Sequence, residues 1–597
     1  MAKNKENLPI NYTSREFSSI RKDLEEYAKI YYPDTVKDFS EAGFASLMLD
    51  TVSYIGDIMS FYLDYNVNES FMSTAIEYGN ILKHAEQLGY KTPGAGASFG
   101  EIALYILAPS AGAGLGPDST YCPILRRGSK FSSDSGAAYV LLDDVDFAHP
   151  NNEVVVAEST NGIPNRYAIK TYGQVMSGEL EQIVLEVGEF EKFLKLKIPI
   201  NNITEVISVY DAEGHPYYEV DYLTQNIVYR SIPTTGDNKF MAPNVLKALS
   251  VPRRYVLERD TSGATYLRFG YGSDTEMRNN PIVHPSNLVL QRHGRSYETL
   301  NYLDPSKILE TDKFGVAPTN TTLTILARRN SIATINSGVG TVTQPTEVIY
   351  RFPQDATSAT KKTLVRASLE VINEKPIIGD VSIPNSEELK TRAKDFFAAQ
   401  NRAVTKNDYT SLIYAMPPKF GSVKRCNITH DNDSFKRNLN LYVLSENTDG
   451  TLTTSNSTIK NNLKTWLSQY KMINDTIDIL DGKVVNFGID FVAVSDTGTN
   501  KYDIFNGIVR QLRQFMINPY DMGEPLAITR IYDVINDTPG VVDVVSVKIR
   551  NLSGSPYSNV VFNIDAHISP DGRFIDIPEN VLVELKYPLR DIKGTVR

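Results

Sequence analysis

Seven histidines, at 84, 149, 215, 284, 293, 430 and 567, and two cysteines, Cys122 and Cys426, are the side chains in this sequence best suited to holding a metal or moving a proton. Their spacing argues against both uses. His284 and His293 are the nearest histidine pair, and a gap of nine residues (293 − 284) is no common ligand spacing. The cysteines stand 304 positions apart (426 − 122), which gives neither a disulfide framework nor a metal knuckle and fits a reducing compartment. No His-Glu-x-x-His, Cys-x-x-Cys or Walker loop occurs. Gly112, Gly114 and Gly116 lack the strand-to-helix setting and the Lys-Ser/Thr of a phosphate loop, so they read as an exposed loop. Arg126 and Arg127 before Gly128 read as a charged turn. Carboxylates are plentiful, and a glycosidase needs two of them about 5–9 Å apart, an arrangement made in space and not in sequence. The chain therefore reads as a non-enzyme, with no cofactor and no metal expected.

Composition points the same way. The 597 residues exceed one ordinary core, so several domains are expected, and 41% hydrophobic with 22% charged residues is ordinary globular usage. Sixty-one basic against 71 acidic residues give a net charge of −10, which disfavours a phosphate-neutralising surface and hence nucleic acid. The apolar stretch at 44–65 is interrupted by Asp50, Asp57 and Asp64, so no membrane span is expected, and the first eleven residues lack the layout of a secretory signal.

Stepping along the chain, Thr13 and Glu16 form a capping-box pattern, and Phe17, Ile20, Leu24, Tyr27 and Tyr31 predict a helix over 14–31. A second helix is predicted from about 40 to 66. Phe44, Leu47, Thr51, Tyr54, Ile58, Phe61 and Tyr65 recur along it at steps of three and four. A second apolar row, Met48, Val52, Ile55, Met59 and Tyr62, is displaced by about 100°. Together the rows cover about half the circumference, more than the roughly 100° that one buried face needs. Asp50, Asp57 and Asp64 fall on the remaining side and read as a solvated face. A third helix is expected after Asn68, with Phe71, Ala75, Tyr78, Leu82 and Ala85 on one face and Gly89 as its stop. Periodicity alone leaves two readings equally open: a small bundle complete in itself, or one completed by another chain. From 99 to about 343 short β-prone runs separated by turn residues predict an all-β region of one or two modules. Helices return at 363–374 and 387–400. The last third alternates helix and strand, with a hairpin expected over 571–585 around Pro578.

Several stretches resemble one family. Glu69-Ser-Phe-Met72-Ser-Thr-Ala75 through Gly89-Tyr90, Pro123-Ile-Leu-Arg-Arg-Gly128-Ser-Lys-Phe131, and Phe269-Gly-Tyr-Gly272 resemble the large ring-forming wedge subunit of contractile-tail phage baseplates. Gln400-Asn-Arg402-Ala-Val-Thr405-Lys-Asn-Asp408-Tyr409, followed by Phe420-Gly-Ser-Val423, is similar to a motif shared among J-type baseplate proteins. The resemblance spans roughly residues 40–430. It implies a virion structural protein that pairs with itself in each wedge, lends helices to a bundle with another wedge protein, meets a sheath-initiating subunit, and closes a ring around the hub. Ring closure would use carboxy-terminal contacts, and a change of ring shape would trigger sheath contraction.

The expected fold class is multidomain α+β: a helical bundle segment at 1–92, β-rich modules at 93–345, a helical connector at 346–400 and a ferredoxin-like α+β region at 401–597. Interface residues are expected at Phe44, Leu47, Met48, Tyr54, Ile55, Ile58, Met59, Phe61, Tyr62 and Phe71. Further ones are expected at Arg402, Thr405, Asp408 and Tyr409 of the shared motif, and at Ile508 and Leu512 in the helix near 503–516. The competing readings are a tail-associated glycan hydrolase and a receptor-binding tail protein, although no internal repeat of the kind fibres carry is present.

Overall fold

The computed structural model describes residues 16–31, 43–91, 94–112, 115–160, 163–234, 244–260, 263–273, 314–330, 335–431, 438–496, 498, 500–516 and 520–597. Thr13, Ser40, His284 and His293 lie outside them. The chain divides into two compact units: Met1–Thr92 with Ile383–Asn401, and Pro93–Ser382 with Arg402–Arg597.

The first unit is helical. Helices α1 (Phe17–Tyr31), α2 (Phe44–Glu69) and α3 (Tyr78–Gln87) follow one another. The helix Ser386–Ala399, read from sequence as part of a connector, packs on α3. Ile81, Leu82 and Ala85 of α3 and Leu389 and Ala393 of the later helix are buried, and Tyr90 meets Phe396 edge to face at 5.8 Å. Asn385 caps that helix by accepting from the Glu388 amide at 2.8 Å. The expected stop at Gly89 is present: it sits at φ 87°, and the Tyr90 amide reaches back to the Ala85 carbonyl at 2.9 Å. The expected start of α3 is not. Residues 70–77 form a turn that leaves Phe71 60% exposed and off any helix. Glu69 is the reason. Its carboxylate accepts from the Ile76 and Glu77 amides at 2.8 and 3.3 Å and from the Asn80 amide group at 3.0 Å, so the first turn of α3 is set at Tyr78.

The second unit opens with two seven-stranded sheets, which make up the β-rich part of the chain. The first runs Val342–Glu347, Lys130–Ser133, Ala138–Leu141, Ile163–Ser177, Phe99–Pro109, Glu370–Ile372, with Glu153–Thr160 also pairing with Ile163–Ser177. It extends past residue 345 because Glu370–Ile372 pairs with Phe99–Pro109, while Val365 of the helix Ala359–Ala367 enters the same core as Ile102, Leu104 and Phe131. The second sheet runs Glu179–Val187, Thr321–Arg329, Ile203–Tyr210, Pro216–Glu219, Arg254–Arg259, Ala264–Phe269, Lys195–Asn201 around Ile198, Phe269, Leu323 and Ile325.

The last third is α+β, with a two-stranded sheet and two four-stranded ones. In one, Asn438–Glu446 pairs antiparallel with Arg425–His430 and parallel with Thr476–Asp481. In the other, Lys483–Ser495 lies between Val541–Leu552 and two parallel neighbours, Val581–Glu584 and Ile592–Val596. The helices Lys501–Phe515 and Ile528–Asn536 cover it through Ile504, Ile508, Leu512, Ile531 and Ile535. These described pairings do not give the βαββαβ order of a ferredoxin-like unit: no strand returns between Lys501–Phe515 and Ile528–Asn536 to join that sheet. The hairpin expected around Pro578 is also absent. Phe574–Ile575 pairs with Leu526–Ala527 and Val581–Glu584 with Lys483–Asn486, so the two runs join different sheets.

Candidate assembly face

Helix α2 decides what the first unit can do. Its buried residues are Ser46, Ser53 and Ser60 on one side, with Gly56 beside them, and Glu69 in the last turn. Heptad spacing of the three serines makes a seam of small side chains on which α1 lies close: Ile20 approaches the site of a Gly56 Cβ to 3.2 Å. Arg21 of α1 reaches across it, its Nε 2.7 Å from Asp50 and its Nη2 donating to Ser46 Oγ at 3.0 Å. Asp50, Asp57 and Asp64 are partly buried on this side. The sequence reading of a solvated acidic face is therefore corrected: the polar side of α2 is turned to its own chain.

The apolar rows are turned away. Phe44, Leu47, Met48, Val52, Tyr54, Ile55, Met59, Phe61, Tyr62, Leu63 and Val67 are 42–73% exposed, and Ile58 is partly buried. Placed at about 100° per residue, they sweep roughly 240° of the helix, and α1 occupies much of the remainder. A helix neighbour covers about 100°, so this arc has room for two more.

The other expected interface residues have local roles. Thr405 and Asp408 form a capping box on the helix Lys406–Tyr414: Thr405 Oγ1 accepts from the Asp408 amide at 3.2 Å and Asp408 Oδ2 from the Thr405 amide at 2.9 Å. Tyr409 is 2% exposed and donates to Asp475 at 2.8 Å; burial, then that carboxylate, pushes its phenol well above the usual range. Arg402 is exposed just before this helix. Ile508 and Leu512 are fully buried in the core under the last sheet, so they are unavailable to another chain unless that core opens. On the strand Val541–Leu552 of this region, Val542 (65%) and Val545 (59%) are exposed. Within a uniformly Val-rich strand, periodicity could not separate them from their buried neighbours Val544 and Val547.

The resembling segments elsewhere are also structural. Leu125 and Phe131 are buried, and Gly128, at φ 91°, turns the chain between them. The Arg126–Arg127 pair is the expected charged turn, tied to Asp144 by the Arg127 amide at 2.7 Å and by Arg126 Nε at 3.5 Å. Gly270 lies where a Cβ would stand 2.2 Å from the Gly315 carbonyl, which accounts for the Phe-Gly-Tyr-Gly run. His84 contacts the Glu69 carbonyl at 2.8 Å, and His215 lies 3.2 Å from Asp211. Among the described residues, no group of three His, Cys, Asp or Glu is placed to hold a metal, and no helix is long and apolar enough to cross a membrane.

Residues 17–87, which contain α1, α2 and α3, match the family described as bacteriophage baseplate protein, N-terminal domain. The helical segment resembles phage baseplate proteins. No curated protein matches the chain. One similar solved structure is the cryo-EM structure of the anti-feeding prophage (AFP) baseplate, 6-fold symmetrised, at 10% identity and TM-score 0.27, covering 96% of this chain and 99% of that one. The match over α1–α3 supports a structural place in the baseplate of a phage tail, and it falls on the segment that carries the outward apolar arc.

Proposed function

We propose that the chain is a structural subunit of the wedge of a contractile-tail baseplate, working by assembly and conformational coupling without bond chemistry. The observation that carries this reading is α2, whose polar seam holds α1 while its apolar arc faces outward within a segment matching a baseplate domain. The arc is proposed to receive two further helices, one from a second copy of the chain and one from another wedge protein.

Magnitudes favour a cooperative assembly. Full burial of an apolar side chain is worth about 1.5–3 kcal/mol, so the eleven exposed side chains of α2, each already about half covered, would add very roughly 10 kcal/mol. Association itself costs about 4–15 kcal/mol, so this face alone makes a weak pair and needs further contacts to make a stable ring. Those contacts are proposed to come from the carboxy-terminal third, where Val542 and Val545 stand exposed, with a sheath-initiating subunit as a further partner.

The test is the double variant Ile55→Asp with Met59→Asp in the full chain, mixed with the other wedge proteins. Unchanged β-sheet circular dichroism and loss of wedge assembly are expected. Assembly at the wild-type level would overturn the reading.

A further inference from the structure

The second unit is threaded by two separated stretches, and the first ends at Ser382, where the chain passes to the helix of the first unit. The last residues of that stretch are clamped on three sides. Ile378 and Phe99 exchange amide-to-carbonyl bonds at 3.1 and 2.8 Å, and Gly379, at φ 146°, lies where a Cβ would stand 2.4 Å from the Ala97 carbonyl. Asn336 ties the clamp together. Its Oδ1 accepts from Ser98 Oγ at 2.6 Å and from the Asp380 amide at 3.1 Å, and its Nδ2 donates to the carbonyls of Asp380 at 2.8 Å and Glu446 at 3.2 Å. From the other side the Glu446 carboxylate accepts from the Ser382 amide and hydroxyl, both at 2.9 Å, and pairs with Lys424 at 3.0 Å.

Into this clamp the chain places a second carboxylate. Asp380 lies against Gly96, where a Cβ would stand 2.2 Å from its Oδ1. The charged group that acts on it is Glu446, at the end of Asn438–Glu446, while the Val381 amide beside it favours its charged form; Lys424, beside Arg425–His430, serves Glu446. Gly96 and Asn336, on the other sides, bring no charge.

We propose that Asp380 and Glu446 form a proton-operated latch on residues 377–382. With a proton on Asp380 the clamp is closed; when that proton leaves to solvent, two carboxylates share the site and the clamp loosens. Burial first, and the Glu446 charge second, push the Asp380 carboxyl up to about 6. A carboxyl raised in the closed state steadies it most below the ordinary carboxylate range. That contribution drains away as pH rises through about 4 to 6 and is gone above. The inference stands independently of the baseplate reading.

Hydrogen exchange of the full chain, resolved to peptides covering 377–383 and corrected for intrinsic rates, tests it. A rise of about tenfold in opening between pH 4.5 and pH 7 is expected, tenfold corresponding to one pKa unit and the remainder of the shift being discounted for partial exposure. Asp380→Asn, close in shape and always neutral, should stay protected and lose the step. Glu446→Gln should move the step to lower pH. A wild-type profile without a step overturns the proposal, as does a step that survives Asp380→Asn or is unmoved by Glu446→Gln.

Discussion

Glu69 shows how much one side chain settles in this molecule. It ends α2, starts α3 and orients Asn80, all through one buried carboxylate in the last turn of the helix. Burial pulls its acidity one way; the Asn80 amide and the two backbone amides pull harder the other way and hold the carboxyl below its usual range. Glu69→Ala should cost about 1–3 kcal/mol by stranding those donors. A carboxyl depressed in the native state stabilises above its unfolded value and loses that effect as pH falls through the folded one. The difference in thermal stability between wild type and Glu69→Gln should therefore be full at pH 7 and shrink below about pH 4. Further along the chain, Thr405→Ala should remove the capping bond and cost about 1 kcal/mol with no change in association, measured by denaturant unfolding and light scattering. The sequence made the Thr405–Asp408 pattern readable as a cap. It could not show that Tyr409, three positions from where the helix starts, is buried on Asp475, because that partner lies 66 residues on.

Among elements, α2 marks where sequence reading stops. The existence of the helix and its two apolar rows were legible, since periodicity reports which residues share a face. Which face turns inward was not, because apolar periodicity names the side that needs a partner and says nothing of where that partner is. Here three serines, a glycine and an Arg21–Asp50 pair make the internal contact. Opposite outcomes should follow from neighbouring positions. Gly56→Leu would press on Ile20, displace α1 and destabilise the helical unit by about 1–3 kcal/mol. Ile55→Asp, one residue away, should change the melting of the isolated chain by no more than about 0.5 kcal/mol while weakening association. Chemical denaturation of both variants, followed by helical circular dichroism, distinguishes them, and equal destabilisation would contradict the assigned facing. The α+β character of the last third was similarly legible from alternating periodicities. Its strand order was not, because Lys483–Ser495 takes parallel partners about 100 residues downstream in segments too short to signal their pairing.

At the scale of the whole molecule, the proposed ring needs a second contact far from α2. Lysines at Val542 and Val545 should leave the full chain folded and cut its self-association in sedimentation, whereas an unchanged sedimentation profile would leave ring closure to the helices and to other proteins. The purified chain should release no product from peptidoglycan or capsular polysaccharide; hydrolysis that disappears on changing one carboxylate would restore the hydrolase reading. The interleaving of the two units also sets a timetable during synthesis. The apolar side of α3, with Ile81 and Leu82, emerges from the ribosome about 300 residues before Leu389 and Ala393, its partners on Ser386–Ala399. At about 5–20 residues per second that is a wait of roughly 15–60 s, during which both seven-stranded sheets are translated. The helical unit is therefore the last part of the first two-thirds to close, and a nascent chain halted before residue 383 should expose α3 to protease while the sheets already resist it.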